Sequence, residues 1–294
     1  MTERITGRII KGVGGTYWTQ CGDDLIPCSA RGALRKSGTK PTVGDFVEIS
    51  LPSRASDNGR IETILPRQTY LIRPSVANGE VFVLVVAATQ PDPSLWLIDQ
   101  MLTMAVHSGM RVIICITKTD LSSGEELAMI YEQAGYQVFC VCSKTGEGIE
   151  AFRSQLNGKT VVFAGASGVG KSRLLNAINP SWEAKTGSVS EKIGRGKHTT
   201  RHVELFPFGT GYIADTPGFS AVEVMGISAS ELAETFLEFR PHLNDCFFTG
   251  CSHTKEKGCA VLEAVKQGEI ASSRHESYCQ IYEQLRQIKE WEKK

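Results

Sequence analysis

The segment "GASGVGKS", Gly165 to Ser172, constrains the fold of this chain more than any other feature of its sequence. It matches the pattern G-x-x-x-x-G-K-S, with an apolar strand-like run (160–164) before it and a helix-like run (173–178) after it. Glycines in such a loop let backbone N–H groups curl around phosphates at the start of a helix. The sequence therefore predicts a phosphate-binding loop between a buried strand and a helix, rather than a glycine-rich turn that binds nothing.

Three segments of the chain differ in pattern. Residues 1–70 hold short β-prone pieces separated by Gly, Pro, Asp and Asn, which is typical of a small OB-like β-barrel. Residues 71–222 alternate apolar strands with amphipathic helices, which indicates a parallel α/β sheet. Residues 223–294 predict helices around a Cys-rich loop, and the run "SASELAETFLEF" (228–239) has helical spacing. We therefore expect three domains with these boundaries.

Composition excludes several classes of protein. The formal net charge is zero, so RNA binding would have to come from local patches such as the Lys- and Arg-rich stretch at 29–40 of the barrel. That stretch fits either an RNA contact or a plain solvated loop. The longest wholly apolar run, Val81 to Ala88, is too short to span a membrane. Nine cysteines without an export signal predict a reducing, cytoplasmic environment.

A second motif, "VIICITKTDL", ends an apolar strand in Thr117, Lys118, Thr119 and Asp120. The Asp120 carboxylate would accept hydrogen bonds from the N1–H and the exocyclic amine of guanine, an edge that adenine lacks. Two such bonds at roughly 1.5–3 kcal/mol each would favour guanine by about a hundredfold or more. Lys118 would pack its stem over the base. Thr117 stands where Asn is usual, and a hydroxyl makes fewer hydrogen bonds than an amide, which predicts weaker nucleotide binding.

A third motif, "CSKTGEG", follows the next strand and offers the backbone of Ser143 and Lys144 to the guanine oxygen. Guanine-type motifs thus precede the phosphate loop, whereas ordinary GTPases have the phosphate loop first. Circular permutation explains this order, because joining the old termini and opening another loop keeps every strand in place. The alternative is an ATP-using enzyme in which residues 117–120 match by accident. We favour a circularly permuted P-loop GTPase domain.

The strand "YIADTPG" completes the expected nucleotide site. Asp215 at its end would hold the shell of a Mg²⁺ ion, and the Gly218 N–H would meet the γ-phosphate. In the phosphate loop, Lys171 would reach the β- and γ-phosphates and the Ser172 hydroxyl would bind Mg²⁺. The next residue after Gly218 is Phe219, although many GTPases place a water-orienting Gln there.

Another polar group must therefore orient the attacking water, and the segment "GRGKHTTRH" (194–202) lies where a first switch loop belongs. Thr200, with Thr199 as second choice, would complete the Mg²⁺ shell. His198 can orient or polarise water; its alternative is an ordinary surface residue. The predicted GTP-binding residues are Thr117, Lys118, Thr119, Asp120, Ser143, Lys144, Ala164, Gly165, Ala166, Ser167, Gly168, Val169, Gly170, Lys171, Ser172, Thr200, Asp215 and Gly218.

The segment "CFFTGCSHTKEKGC" brings together Cys246, Cys251, His253 and Cys259. Three thiols and one imidazole suit a tetrahedral Zn²⁺ site. Because protein would fill all four positions, the site would be structural and would stabilise a loop with little core of its own. The alternative is three free cysteines and a surface His.

A small β-barrel, a permuted GTPase domain and a Cys/His loop in this order resemble the ribosome small subunit-dependent GTPase A family over nearly the whole chain. The resemblance implies a GTP hydrolase of late 30S ribosomal subunit maturation that binds rRNA and is slow until that subunit stimulates it. It implies Mg²⁺ with GTP, one structural Zn²⁺, a monomer with no membrane partner, and His198 as the catalytic residue. The family often carries a third Thr where this chain has Arg201. An RNA-binding module with incidental hydrolysis is the competing interpretation.

Overall fold

The structure is a computed structural model, and it describes residues 4–32, 39–51, 58–179, 203–215, 224 and 226–291. Two compact units make up the chain. The first unit contains Met1–Val81, Gln155–Phe163 and Asn179–Pro217. The second unit contains Phe82–Ser154, Ala164–Ile178 and Gly218–Lys294.

The first unit begins with a closed five-stranded barrel. Its strands are β1 (Arg4–Val13), β2 (Thr16–Cys21), β3 (Asp24–Ala30), β4 (Phe46–Ser50) and β5 (Gly59–Ile64). They pair in the order β1-β2-β3-β5-β4, and β4 pairs back onto β1. Closure leaves no strand edge unpaired, which is how a small β-domain satisfies its backbone groups. The buried side chains that fill the barrel include Ile9, Tyr17, Cys28, Val47, Ile49 and Ile61.

A two-stranded ribbon, β6 (Tyr70–Leu71) and β7 (Val76–Ala77), follows the barrel in the chain. The approach of β7 to the barrel requires a glycine, because a Cβ atom on Gly44 would lie 1.9 Å from the carbonyl oxygen of Ala77. Gly44 also has a φ of +94°, which side chains rarely adopt.

The second unit opens with alternating strands and helices: β8 (Val81–Ala87), α1 (Leu95–His107), β9 (Arg111–Thr117), α2 (Glu125–Gln133) and β10 (Gln137–Cys140). The strand order is β10-β9-β8, and β9 pairs with β10 in parallel. Every residue of β8 is buried, as expected for a strand covered on both faces. The carboxyl ends of β9 and β10 therefore meet at one edge of the sheet.

The remaining α/β elements are α3 (Ile149–Ser154), β11 (Thr160–Ala164), α4 (Lys171–Ile178), β12 (Glu204–Phe208) and β13 (Gly211–Asp215). In the first unit β11 pairs with β13 in parallel, and β12 pairs with β13 and β1 in antiparallel fashion.

The C-terminal part of the second unit is helical. It contains two short 3₁₀ helices (Ala233–Thr235 and Leu237–His242), α5 (Ala260–Gln267) and α6 (Ser272–Trp291). The α-helical spacing of residues 228–239 is thus realised as short 3₁₀ turns. Pro241, which lies in the second of these turns just beyond that segment, lacks a backbone donor and so disfavours continuation of an α-helix through it.

A buried charge cluster ties α6 to α1. Arg274 on α6 is 1% exposed, and its guanidinium donates to Asp99 on α1 and to Glu238 at 2.7 Å. The Tyr131 hydroxyl donates to the same Asp99 oxygen at 2.9 Å. A buried guanidinium is tolerated only where carboxylates pair with it, so these residues fix the helices in one arrangement. Among the described helices, none is long and apolar enough to cross a membrane.

Candidate functional site

The phosphate loop leaves β11 and enters α4, as the sequence predicts. Gly165 has a φ of +152°, and a Cβ atom there would lie 2.3 Å from the carbonyl oxygen of Val85 on β8. Only glycine fits so close to that strand. The first turn of α4 forms as Leu174 N–H donates to the Gly170 carbonyl at 2.9 Å. The N-terminal end of α4 therefore meets the loop, where backbone N–H groups and the helix dipole favour an anion.

Thr117 joins the guanine-type motif to the phosphate loop. Its side chain is buried at the end of β9, and its hydroxyl oxygen lies 2.5 Å from the Val169 carbonyl and 3.2 Å from the Val86 carbonyl. A hydroxyl has one proton, so the shorter contact to Val169 is the hydrogen bond that dominates. Two motifs that are distant in sequence thus share one hydrogen bond.

Backbone hydrogen bonds also join the ends of three neighbouring strands. Ala88 N–H donates to the Thr117 carbonyl at 2.9 Å, and Val141 N–H donates to the Ile116 carbonyl at 2.8 Å. The Lys118 ammonium group donates to the Gln90 carbonyl, just past β8. The loops after β8, β9 and β10 are therefore held as one edge, which is where ligands bind in such sheets.

Asp120, the residue predicted to bind guanine, has a cationic neighbour. Lys144 Nζ lies 3.6 Å from Asp120 Oδ2, and Lys144 is exposed while Ser143 is half-buried. Glu147 and Cys142 close the loop around them, since Cys142 N–H donates to the Glu147 carbonyl at 3.0 Å. The two predicted guanine loops are thus brought together within the second unit.

Four predicted residues of the γ-phosphate side lie outside the described residues, namely His198, Thr199, Thr200 and Gly218. For Asp215 the structure describes the backbone alone, at the end of β13. Their roles therefore stay predictions. Ser172 lies in the first turn of α4, where its side chain reaches solvent.

The four metal-ligand candidates of the C-terminal loop form a cluster, with all ligand atoms within 4.8 Å of one another. Nδ1 of His253 lies 3.5 Å from the sulfur of Cys246 and 3.5 Å from that of Cys259, and the two sulfurs are 3.9 Å apart. A tetrahedral ion with bonds of about 2.3 Å to sulfur has edges of roughly 3.8 Å. The cluster, completed by Cys251, therefore fits a tetrahedral metal ion.

Helix α6 supports this loop through its backbone. His275 Nε2–H donates to the His253 carbonyl at 2.8 Å, and the Tyr278 hydroxyl donates to the Ser252 carbonyl at 2.8 Å. The Glu256 carboxylate accepts from the backbone N–H groups of Ser252, Thr254 and Lys255 at 2.8 to 3.1 Å. The loop geometry thus does not depend on its ligands alone.

Burial shifts the pKa values of three of the four candidate ligands. Burial raises the pKa of the Cys251 and Cys259 thiols and lowers the pKa of His253. Neutral imidazole is the form that binds a metal, and a bound cation would stabilise the thiolates that burial disfavours.

The supporting residues of both sites are not among those predicted from the sequence. Gln90 contributes only a carbonyl, which no side-chain pattern reveals. His275 and Tyr278 follow helical spacing and so share one face of α6, which is a usable signal, but their partners are backbone groups.

Comparison with known proteins agrees with this geometry. The RsgA GTPase family model matches residues 64–225, and the RsgA N-terminal domain model matches residues 6–61. The chain belongs to the RsgA GTPase family. It is therefore a GTP hydrolase, and the resemblance inferred from motif order is confirmed.

Two relatives cover nearly the whole chain. A protein of Alkaliphilus metalliredigens called "Small ribosomal subunit biogenesis GTPase RsgA" is 44% identical over 95% of this chain and 97% of its own. Its namesake from Ruminiclostridium cellulolyticum is 42% identical over 98% of this chain and 96% of its own.

Two solved structures are also similar. YjeQ from Thermotoga maritima has a TM-score of 0.80 at 35% identity and covers 96% of this chain and 99% of its own. YloQ, described as a circularly permuted GTPase, has a TM-score of 0.78 at 35% identity and covers 97% of this chain and 96% of its own. The predicted fold class is thereby confirmed: a β-barrel, a permuted P-loop GTPase domain and a helical part with a Cys/His cluster.

Proposed function

We propose that this protein hydrolyses GTP to GDP and phosphate during late maturation of the small ribosomal subunit, that it binds rRNA, and that the subunit stimulates its hydrolysis. One observation carries the nucleotide part. The Thr117 hydroxyl donates to the Val169 carbonyl, which holds the guanine-type loop against the phosphate loop. The names of the relatives support the ribosomal part.

In this proposal the chain binds the two ends of one nucleotide through separate loops. Asp120 accepts the guanine N–H groups, and Lys118 lies along the base. Lys171 and the N–H groups at the start of α4 bind phosphate oxygens. Ser172 and Thr200 would hold a Mg²⁺ ion and Asp215 its coordination shell, and the ion would supply positive charge to neutralise the phosphates.

His198 is the proposed catalytic residue, since Phe219 cannot orient water. The His198 imidazole would hold the attacking water in line with the γ-phosphate, and the Gly218 N–H would steady that phosphate. His198→Ala should leave GTP binding unchanged and lower turnover. Unchanged turnover would remove His198 from the mechanism.

For the Cys/His cluster we propose one structural Zn²⁺ per chain, because three sulfurs and one nitrogen suit this ion. We further propose domain boundaries at 1–70, 71–222 and 223–294, a monomeric state and a cytoplasmic location. Metal analysis of the purified protein checks the ion and its stoichiometry.

The deciding experiment measures GTP and ATP turnover, each with and without purified small ribosomal subunits. We expect slow GTP turnover that rises strongly with subunits, and no ATP turnover. GTP turnover that does not rise with subunits would support GTP hydrolysis but would contradict stimulation by the small ribosomal subunit. Turnover that stays negligible even with subunits would favour an RNA-binding module with incidental hydrolysis.

Guanine reading has its own test in Asp120→Asn. An amide can donate to the carbonyl of xanthine at the position where the carboxylate accepts from guanine, so preference should move from guanine to xanthine nucleotides. A variant with the nucleotide preference of the parent would show that residues 117–120 match by accident.

A further inference from the structure

Two aromatic rings project from the metal loop into solvent. Phe247 is 80% exposed and Phe248 is 51% exposed. Their ring centroids are 4.9 Å apart, with the planes at 83°. Phe247 is the most exposed large hydrophobic residue in the described part of the chain. Such exposure of apolar surface is unfavourable in water, so it calls for a partner.

The rings are not needed by the core beneath them. The hydrophobic cluster of the C-terminal part is built around Phe236, Phe239 and Tyr278, and neither Phe247 nor Phe248 belongs to it. These two residues nevertheless stand on a fixed backbone. They directly follow the metal-ligand candidate Cys246 in sequence.

A glycine brings the two arms of the loop together behind Phe247. The Phe247 N–H donates to the Gly258 carbonyl at 2.9 Å. A Cβ atom on Gly258 would lie 2.9 Å from the Cβ atom of Phe247, so only glycine allows this approach. The rings are therefore presented by a pre-organised loop, which lowers the entropy cost of binding.

The loop that carries the pair also carries two exposed lysines, together with an exposed Asp245 and a half-buried Glu256. Lys255 and Lys257 are exposed, and neither ammonium group forms an ion pair with a described residue. The carboxylate between them, Glu256, is instead occupied by backbone N–H groups of the loop. Within residues 226–287, whose side chains the structure describes, Phe247 and Phe248 are the only exposed large hydrophobic residues.

This combination distinguishes between two kinds of partner. A protein partner would favour a wider apolar patch, whereas here two rings stand on a loop whose two exposed lysines form no ion pair with a described residue. Bases of single-stranded RNA stack on isolated aromatic rings, and lysines bind the phosphates between them. We propose that Phe247 and Phe248 form a base-stacking platform for unpaired RNA bases, with Lys255 and Lys257 on the adjoining phosphates.

The inference rests on the proposed function for the source of the RNA, which would be the small-subunit rRNA. The stacking chemistry itself is tested without ribosomes. Full-length, metal-loaded protein is titrated with a fluorescently labelled single-stranded RNA of mixed sequence, and separately with the duplex that this RNA forms with its complement. Fluorescence anisotropy reports both affinities.

The variants separate stacking from simple apolar contact. Replacing both rings, in Phe247→Ala with Phe248→Ala, should weaken single-stranded RNA binding on the order of tenfold for each ring. The Phe→Leu pair keeps apolar surface without a ring and should lose nearly as much, whereas the Phe→Trp pair should retain affinity. Duplex binding should not change. Met129→Ala, which removes an exposed apolar side chain on α2, is the matched control.

Replacing the lysines should change the salt dependence of RNA binding, which replacing the rings should not. Lys255→Gln and Lys257→Gln should each lower the slope of log affinity against log salt by about one, and the ring variants should leave the slope unchanged. Metal content and melting temperature, measured for each variant, establish that the loop stays folded.

Two results would overturn the platform. One is parental affinity for single-stranded RNA in either the double Ala or the double Leu variant. The other is weaker binding to small subunits with unchanged binding to free RNA, which would identify a ribosomal protein as the partner. GTP turnover of the unchanged protein is measured in parallel, so a failure of the proposed GTPase function is seen separately from a failure of stacking.

Discussion

The nucleotide site and the metal loop are assembled in opposite ways. In the nucleotide site the Thr117 hydroxyl meets the Val169 carbonyl across 52 residues of sequence, and buried strands hold both in place. In the metal loop Cys246 and Cys259 are only 13 positions apart in the sequence. Among the described residues, no strand lies within this loop to support them. The first site forms where the strands of its sheet end. The second is supported by the neighbouring helix α6 and, in our proposal, by a bound metal ion.

The two sites should therefore differ in how much a bound ligand contributes to the stability of the fold. Removing a ligand from the nucleotide site leaves the strands and their hydrogen bonds intact. Without the proposed metal ion, the three partly or fully buried thiols and the imidazole would be positioned only by the hydrogen bonds that Glu256 and α6 make to the loop backbone. Four substitutions should expose the contrast, with effects that range from a large loss of stability to a small change in GTP affinity.

The largest effect should follow removal of a metal ligand. Cys251→Ala should release the ion and lower the free energy of unfolding by several kcal/mol, because metal binding to such loops contributes on the order of ten kcal/mol to folding. GTP affinity should change less than about threefold, since the strands do not need the ion. Metal analysis, thermal unfolding and nucleotide titration check this. Cys140→Ala, at an exposed free cysteine, is the control. If the free energy of GTP binding fell by as much as the free energy of unfolding, the nucleotide site would depend on the metal loop, contrary to this prediction.

Next comes the charge cluster that joins α6 to α1. Arg274→Met leaves Asp99 and Glu238 buried without their cation, which should cost about 3–5 kcal/mol of the free energy of unfolding. The control on the same helix is Arg286→Met, which breaks an exposed pair with Glu283 at 3.7 Å and should cost at most about 1 kcal/mol. Denaturant unfolding measures both. Equal losses of unfolding free energy in the two variants would show that burial of Arg274 does not determine how much its ion pairs stabilise the protein.

The third prediction concerns Thr117, whose hydroxyl joins the two loops of the nucleotide site. Thr117→Val keeps the shape of the side chain and removes the hydroxyl, so the Val169 carbonyl loses its donor at a cost of about 1–3 kcal/mol. GTP affinity should fall by roughly tenfold, and Thr117→Ser should keep most of it. Thr63→Val, at an exposed threonine of β5 that is not among the predicted GTP-binding residues, is the control. Nucleotide titration measures the GTP affinity of each variant. If Thr117→Val binds GTP as tightly as the parent protein, the two loops are held in place by the strand ends alone.

The smallest effect should be that of Lys144→Gln. Lys144 is exposed beside Asp120, and exposed ion pairs contribute about 0–1 kcal/mol. GTP affinity, measured by nucleotide titration, should therefore change by less than about fivefold, and the change should disappear at high salt. A loss comparable to that of Thr117→Val would assign Lys144 a direct contact with the nucleotide.

Sequence reasoning is most successful where chemistry requires particular residue types at fixed spacing. The phosphate loop, the order of the motifs and the Cys3His cluster are all visible in the sequence, because glycine, carboxylate and thiol have few substitutes there. Thr117 is predicted to bind less well than Asn, and that stays a prediction. Its hydrogen bond to Val169 could not be foreseen, since it depends on how two loops meet.

Other features are invisible in the sequence for a physical reason. Arg274 lies in a helix rich in charged residues and looks like a surface residue, yet it is 1% exposed. Its partners Asp99 and Glu238 come from two other elements, and no local pattern links the three. Strand β12 is missed because Pro207 interrupts its strand propensity. Tertiary contacts outweigh local preference in both cases.

The pairing of Arg274 with Asp99 has a consequence for the order of assembly during synthesis. The two residues are 175 positions apart, and Asp99 emerges from the ribosome long before Arg274. Until α6 is made, the α/β part of the second unit carries a carboxylate that cannot be buried without its cation. Helix α6 therefore completes a core laid down before it, and a nascent protein that stops short of α6 is left with an unpaired carboxylate on α1.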